Sequence, residues 1–258
     1  MNRAAPTTTG AATGRRVAVV RVAIVACVLA AWEALSLSGW LFRDVVPSLV
    51  AISRAILRLL ANADFYANLG ITLGEISLGL LIGGFCGLAT GILFGANRFL
   101  SRAYESLIYY LGPTPKIIFF PVMIMWFGVG SGSKIAMGAV SCFFLIAISA
   151  ASGMRQIDRV LILVGKSFRA TTWQMVSKIY LPAMRAPVVN GVRLGLGVAI
   201  IGTLLAETKL SNRGMGYLII QAYSTFDMPK MYALLIVLFV LAIGANALIG
   251  RLNRTDMR

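Results

Sequence analysis

Residues 169–187 read RATTWQMVSKIYLPAMRAP, a polar and amphipathic stretch set between two long apolar runs. Thr171 followed three residues later by Gln174 has the spacing of a capping box, in which the threonine hydroxyl accepts from the Gln174 amide while the glutamine side chain reaches back. Trp173, Val176 and Tyr180 recur at i, i+3 and i+7 with Met175 and Ile179 beside them, which places one apolar stripe on a helix. Pro182 is expected to stop that helix at about its third turn. A helix so short is marginal in water by itself, so its stripe must be buried against something. The surrounding chain decides what that something can be.

The 258 residues are 59% apolar and 13% charged, with a mean hydropathy of +0.84. Ordinary soluble domains carry about a quarter charged residues, so this is an integral membrane protein. Lys and Arg number 24 against 9 Asp and Glu, a net charge of +15. In a soluble chain that excess would suggest nucleic acid, but in a membrane protein it reports on orientation, and no nucleic-acid partner is expected. The chain has no His, which removes the commonest metal ligand and general base. Cys27, Cys86 and Cys142 are far apart inside apolar runs without metal or redox spacing, and are expected to be small buried hydrophobes. No catalytic residue, metal site or cofactor is expected.

A bilayer core takes about 20 apolar residues as a helix. Six stretches qualify, at roughly 17–39, 69–95, 104–128, 134–153, 187–207 and 229–250. The expected fold is therefore an all-α integral membrane protein of six transmembrane helices. A disordered tail covers 1–16, the membrane domain 17–250, and a second tail 251–258. The connection after the first span holds PSLVAISRAILRLL, an amphipathic helix. With the N-terminus inside, the inner segments hold 15 Lys and Arg against 7 outside, which puts both termini and the loop 154–186 in the cytoplasm. Lys134 falls to an outer segment in this count, and Lys116 and Arg193 within spans.

Gly79, Gly83, Gly87, Gly91 and Gly95 form a ladder four residues apart on the second span. Helices in lipid associate through small residues that let backbones approach, so this ladder is expected to pack a neighbouring helix and to permit rocking. Charges within spans are costly and tend to be functional. Glu33 and Glu75 are expected to meet structural partners. Glu207 ends the fifth span before a Gly-rich loop, where a structural and a functional role are equally open.

Residues 165–167 read GKS, the tail of a phosphate-binding loop. The full loop needs a glycine five residues before Gly165, where Val160 stands, and a preceding strand that is missing. The chain is not expected to bind nucleotide itself. The capped helix could lie on lipid or under its own bundle, flanked by cations that suit anionic headgroups. It could instead enter a groove on a separate cytoplasmic protein.

The segment, lying between the fourth and fifth spans, resembles the cytoplasmic coupling loop of binding-protein-dependent ABC importer permeases, whose motif runs EAA, three residues, Gly, nine residues, then I-x-L-P. Ile179, Leu181 and Pro182 fall on the end of that motif. Arg169 stands where the family has glycine, and Leu163 to Gly165 stand at the EAA positions. VPSLVAISRAIL, PTPKIIFFPVMIMWFGVG (113–130), GVRLGLGVAIIGTLLAE (191–207) and RGMGYLI (213–219) are similar to the nitrate, sulfonate and taurine branch.

The resemblance implies a type I ABC importer permease in the bacterial inner membrane, and not an enzyme. It would be half of a translocation path for a small solute, an organic anion such as a sulfonate or a related nutrient. Its implied partners are a cytoplasmic ABC ATPase dimer, a second permease copy or a related permease, an extracytoplasmic solute-binding protein and membrane lipid. Arg169, Ala170, Thr171, Trp173, Gln174, Val176, Ile179, Leu181 and Pro182 would meet the ATPase. Glu207, Gly214 and Gly216 would lie on the translocation pathway or its outer gate. The competing classes are a secondary transporter, which would show inverted repeats and mid-membrane carboxylates, and a membrane scaffold.

Overall fold

A computed structural model describes residues 9–39 and 45–252, and the regular structure among them is helical. The order is α1 (Thr9–Ser38), α2 (Leu49–Leu60), α3 (Ala63–Ala96), α4 (Arg98–Leu111), a 3-10 turn (Lys116–Phe119), α5 (Phe120–Phe127), α6 (Ser131–Arg155) and α7 (Arg159–Ser167). There follow α8 (Thr172–Gln174), a π-helix (Met175–Tyr180), α9 (Leu181–Ala183), α10 (Arg185–Lys209), α11 (Met215–Ser224) and α12 (Met228–Leu252). Helix α1 begins inside the stretch expected to be a tail, and residues 1–8 and 253–258 of the two expected tails lie outside the described residues.

Among the described residues five helices, α1, α3, α6, α10 and α12, are long and apolar enough to cross a membrane. The stretch 104–128, expected as one further span, is instead broken into α4, the 3-10 turn and α5. Pro113 and Pro115 explain the break, since neither can donate a backbone hydrogen bond and each disfavours helix in the residue before it. Lys116 repairs part of the damage by donating from Nζ to the carbonyls of Gly112 and Thr114, the latter at 3.1 Å. Its ammonium also lies 5.5 Å from the ring centre of Phe144 on α6.

Helix α6 is the centre of the bundle, packed between α3 and α10. The glycine ladder makes the first contact possible. A Cβ added to Gly87 would sit 2.7 Å from the Phe143 carbonyl oxygen, and one on Gly91 would sit 2.5 Å from that of Ala147. Gly79 and Gly83 face Ala139, and Gly95 faces Met154, so the ladder lies against the backbone of α6 along its length. On the other side of α6, Gly191 meets Ser149, Gly195 meets Ile146 and Gly202 meets Ser141. Such approach lets many weak dispersion contacts accumulate where lipid supplies no hydrophobic force between helices. Cys142 is buried in this seam, whereas Cys27 and Cys86, expected to be buried, are exposed on α1 and α3. Both sit on faces of apolar helices that the bundle leaves uncovered, where burial is supplied by surrounding lipid.

Helix α1 is held at its C-terminal end. Trp32 Nε1 donates to the Pro47 carbonyl at 3.1 Å, Ser36 Oγ donates to Val46, and the Trp32 ring stands edge-on to Tyr232 of α12. Glu33 accepts from the Leu49 amide at 2.8 Å, a structural partner at the start of α2. Helix α2 is the expected amphipathic helix: Ser48 caps it, and Ile52, Ala55 and Leu59 are buried on the side facing α12.

Candidate functional site

The loop between α6 and α10 is built by local rules acting in sequence. Asp158 accepts from the Val160 amide at 2.9 Å and starts α7. At its end the Arg169 amide donates to Lys166 and the Ala170 amide to Gly165, at 2.9 and 3.0 Å, the paired bonds of a Schellman turn. That turn requires a left-handed residue, and Arg169 takes it with φ 50°. The turn of the family motif is therefore made here without its glycine, at a cost of about 1 kcal/mol.

Helix α8 then opens on a complete capping box. The Gln174 amide donates to Thr171 Oγ1 at 3.3 Å, and the Thr171 amide donates to Gln174 Oε1 at 2.9 Å. Pro182 does not stop the helix as expected. The backbone widens into the π-helix, where the Leu181 amide reaches back five residues to Val176, and the chain continues through α9 before turning at Met184. A proline ring clashes with the carbonyl four residues earlier in a regular α-helix, and the wider turn relieves that clash.

The apolar stripe divides in two. Met175 is buried and Ile179 half-buried, both against Gly165 of α7, where a Cβ would sit 2.5 Å from Met175 Sδ. Val176, Tyr180 and Leu181 are half-buried, and Ala170 also. Trp173 points away from the bundle and is 75% exposed. It joins Phe168, 83% exposed, and the exposed Val160, Leu161, Leu163 and Val164 of α7 in an uncovered apolar crest. Sequence reasoning centred on Trp173 and missed Val160, Leu161 and Phe168. Their signal was an aliphatic run in a loop otherwise rich in cations.

At the opposite end of α10 a second group converges. Glu207, 1% exposed, accepts from Thr72 Oγ1 and from the Gly216 amide, each at 2.6 Å. Thr72 Oγ1 accepts from the Met215 amide at 2.8 Å, and Asn68 Oδ1 accepts from the Gly214 amide at 2.7 Å. Three side chains from α3 and α10 thus satisfy the free amides at the start of α11, with the carboxylate at the positive end of its dipole. Gly214, at φ 101°, and Gly216 allow the approach, since a Cβ on either would sit about 2.6 Å from Glu207 atoms. This is a closed joint between helices. Glu75, 5% exposed, and Lys134, 1% exposed, are buried in the same part of the bundle. Lys134 donates to the carbonyls of Val129 and Gly130, so the residue expected in an outer segment is inside the bundle.

Residues 79–255 match the family described as binding-protein-dependent transport system inner membrane component. The chain is 29% identical to the protein named as the aliphatic sulfonates transport permease SsuC of Bacillus subtilis, over 89% of this chain and 83% of that one. It is 30% identical to the protein of the same name in Escherichia coli K12, over 87% and 82%. Identity to the taurine transport system permease protein TauC of Escherichia coli K12 is 28%, over 74% and 71%. Among solved structures, a chain of the MetNI methionine ABC transporter in inward facing conformations superposes with a TM-score of 0.61 at 21% identity, covering 81% of this chain and 98% of that one. That likeness establishes the type I importer permease fold. The chain belongs to the binding-protein-dependent transport system inner membrane components: it is a multi-pass ABC importer permease, a transport subunit and not an enzyme.

Proposed function

We propose that this permease supplies half of a translocation path for a small organic anion such as a sulfonate, and that the crest of α7 and α8 is where a cytoplasmic ABC ATPase dimer docks. A second permease copy, or a related permease, supplies the other half. An extracytoplasmic binding protein delivers the solute to the end that carries α11. Both termini face the cytoplasm on this reading, as the distribution of Lys and Arg favours.

The observation that carries the reading is the exposure of Phe168 and Trp173 on a segment whose two ends are rigidly made. Large aromatic side chains left uncovered at the tip of a short, capped helix hairpin fit the helix-in-groove mode of recognition. Met175 and Ile179 lock α7 to the π-helix, so a push on the crest is delivered through Met184 to α10. Closure of the ATPases would draw two such crests together and rock the spans. The Glu207 joint would carry α11 with the end of α10, so that Glu207, Gly214 and Gly216 act on the outer gate by holding it. The solute class is supported by the names of the sulfonate and taurine permeases to which the chain is similar.

The test is to express the chain with its ATPase subunit and measure copurification and uptake for Trp173→Asp and Phe168→Asp. Each change removes an apolar anchor worth about 2 kcal/mol or more if it is an interface hot spot. Copurification and uptake should both fall while the bundle stays folded. Unchanged copurification and uptake would refute the docking assignment. Competition for uptake among taurine, longer sulfonates and neutral analogues addresses the solute class, and preference for the neutral analogues would overturn it.

A further inference from the structure

A cavity of about 640 Å³ opens beside the coupling segment, where the ends of α3 and α6 meet α4, α7 and the π-helix. Arg102, Arg155, Arg159 and Lys166 line it from three helices and the Tyr180 side belongs to the π-helix, while Met154 and Ile157 form a buried apolar floor. None of the lining residues is acidic. Asp158, the carboxylate between two of the arginines in sequence, has an oxygen engaged by the Val160 amide. The side chains of Arg102, Arg159 and Lys166 make no hydrogen bond or ion pair among the described residues. Arg102, Arg159 and Lys166 thus bring three like charges to one cavity that has no acidic residue in its lining.

We infer that this cavity binds a phosphate-bearing anion, with the phosphate among Arg102, Arg159 and Lys166 and the less polar part of the ligand on Met154 and Ile157. Guanidinium groups match phosphate oxygens in paired hydrogen bonds, and an ammonium adds a compact charge. The volume suits a ligand of headgroup size. Two sources share this chemistry: the headgroup of an anionic phospholipid, which basic pockets between transmembrane helices hold, and a soluble phosphorylated molecule. Because Lys166 and Tyr180 also belong to the coupling segment, an occupant would brace that segment against the end of α6. The assignment of this end to the cytoplasm rests on the orientation given above; the binding itself does not.

The full-length chain, purified without any ATPase, is titrated with cardiolipin in nanodiscs of phosphatidylcholine, and separately with inorganic pyrophosphate as the soluble probe. The wild-type chain should bind at least one of these saturably. Removing a cation costs about fivefold, so R102Q/R159Q/K166Q should bind roughly 100-fold more weakly. R54Q/R58Q, on α2 at the opposite end of α3, should bind as the wild type does. R102K/R159K/K166R retains the charge and controls for folding, and should keep most of the affinity. Saturable binding of cardiolipin alone identifies the ligand as a lipid headgroup, and binding of pyrophosphate that displaces cardiolipin identifies it as soluble. Equal binding by the wild type and the triple glutamine variant, or no saturable binding of either probe, overturns the inference. Docking of the ATPase plays no part in this readout, so loss of copurification in Trp173→Asp with intact anion binding would separate the two proposals.

Discussion

Gly83 and Gly84 are neighbours on α3 that meet different surroundings, and comparing an alanine at each isolates what the close packing of α3 on α6 contributes. A Cβ on Gly83 would sit 2.6 Å from Cys142 Sγ and 2.8 Å from the Ala139 carbonyl carbon, where ordinary contact begins at 3.4 Å. The Ala139 carbonyl oxygen lies closer still, so the helices must part there by about 1 Å, and Gly79 and Gly87 on either side lose their contacts with α6 as they do so. Overpacking of this kind costs about 1–3 kcal/mol. The Cβ on Gly84 would find only Ile146 Cδ1, at 3.6 Å, and needs no adjustment. Alanine gains about 1 kcal/mol over glycine in a helix, and the gain is common to both variants. Gly84→Ala should therefore be neutral or slightly stabilising, and Gly83→Ala less stable than it by about 1–3 kcal/mol. Unfolding of the purified chain by heat or denaturant in one detergent measures the difference. Equal stabilities would refute the claim that the ladder serves backbone approach to α6.

Other variants test the two joints. Arg169→Gly removes a left-handed arginine without touching its turn bonds, and should raise the unfolding free energy of the α7 turn by about 1 kcal/mol; a loss of stability would show that the arginine side chain holds the turn. Glu207→Ala leaves the Thr72 hydroxyl and the Gly216 amide short of an acceptor, at about 1–3 kcal/mol for each. Hydrogen exchange at the first turn of α11 should accelerate, and unchanged protection there would contradict the joint. Thr171→Ala removes half of the capping box and should cost about 1 kcal/mol, read as faster exchange in α8; slow exchange would mean the π-helix holds that turn by itself.

The long spans were legible because hydropathy and length report directly on lipid, and the ladder because its spacing of four repeats on one helix face. The capping box was legible for the same reason of locality: Thr171 and Gln174 meet within one turn. Three features depended on more than local rules. The break at Pro113 and Pro115 lies inside an apolar run whose hydropathy masks two prolines, although Lys116 beside them is a further sign. Pro182 reads as a stop, yet the preceding π-helix accommodates it, a choice made by the packing of Met175 and Ile179 on Gly165. Glu207 finds Thr72 across 135 residues and Gly216 across a loop, which no spacing rule connects. The crest was half visible, since Trp173 announced it and the exposure of Phe168 required the turn at Arg169 to be seen.

The most direct test places a photoreactive side chain at Phe168 or Trp173 in cells that are importing solute. The account predicts crosslinks to the ATPase subunit, stronger when nucleotide is bound. Crosslinks confined to phospholipid while import continues would contradict it.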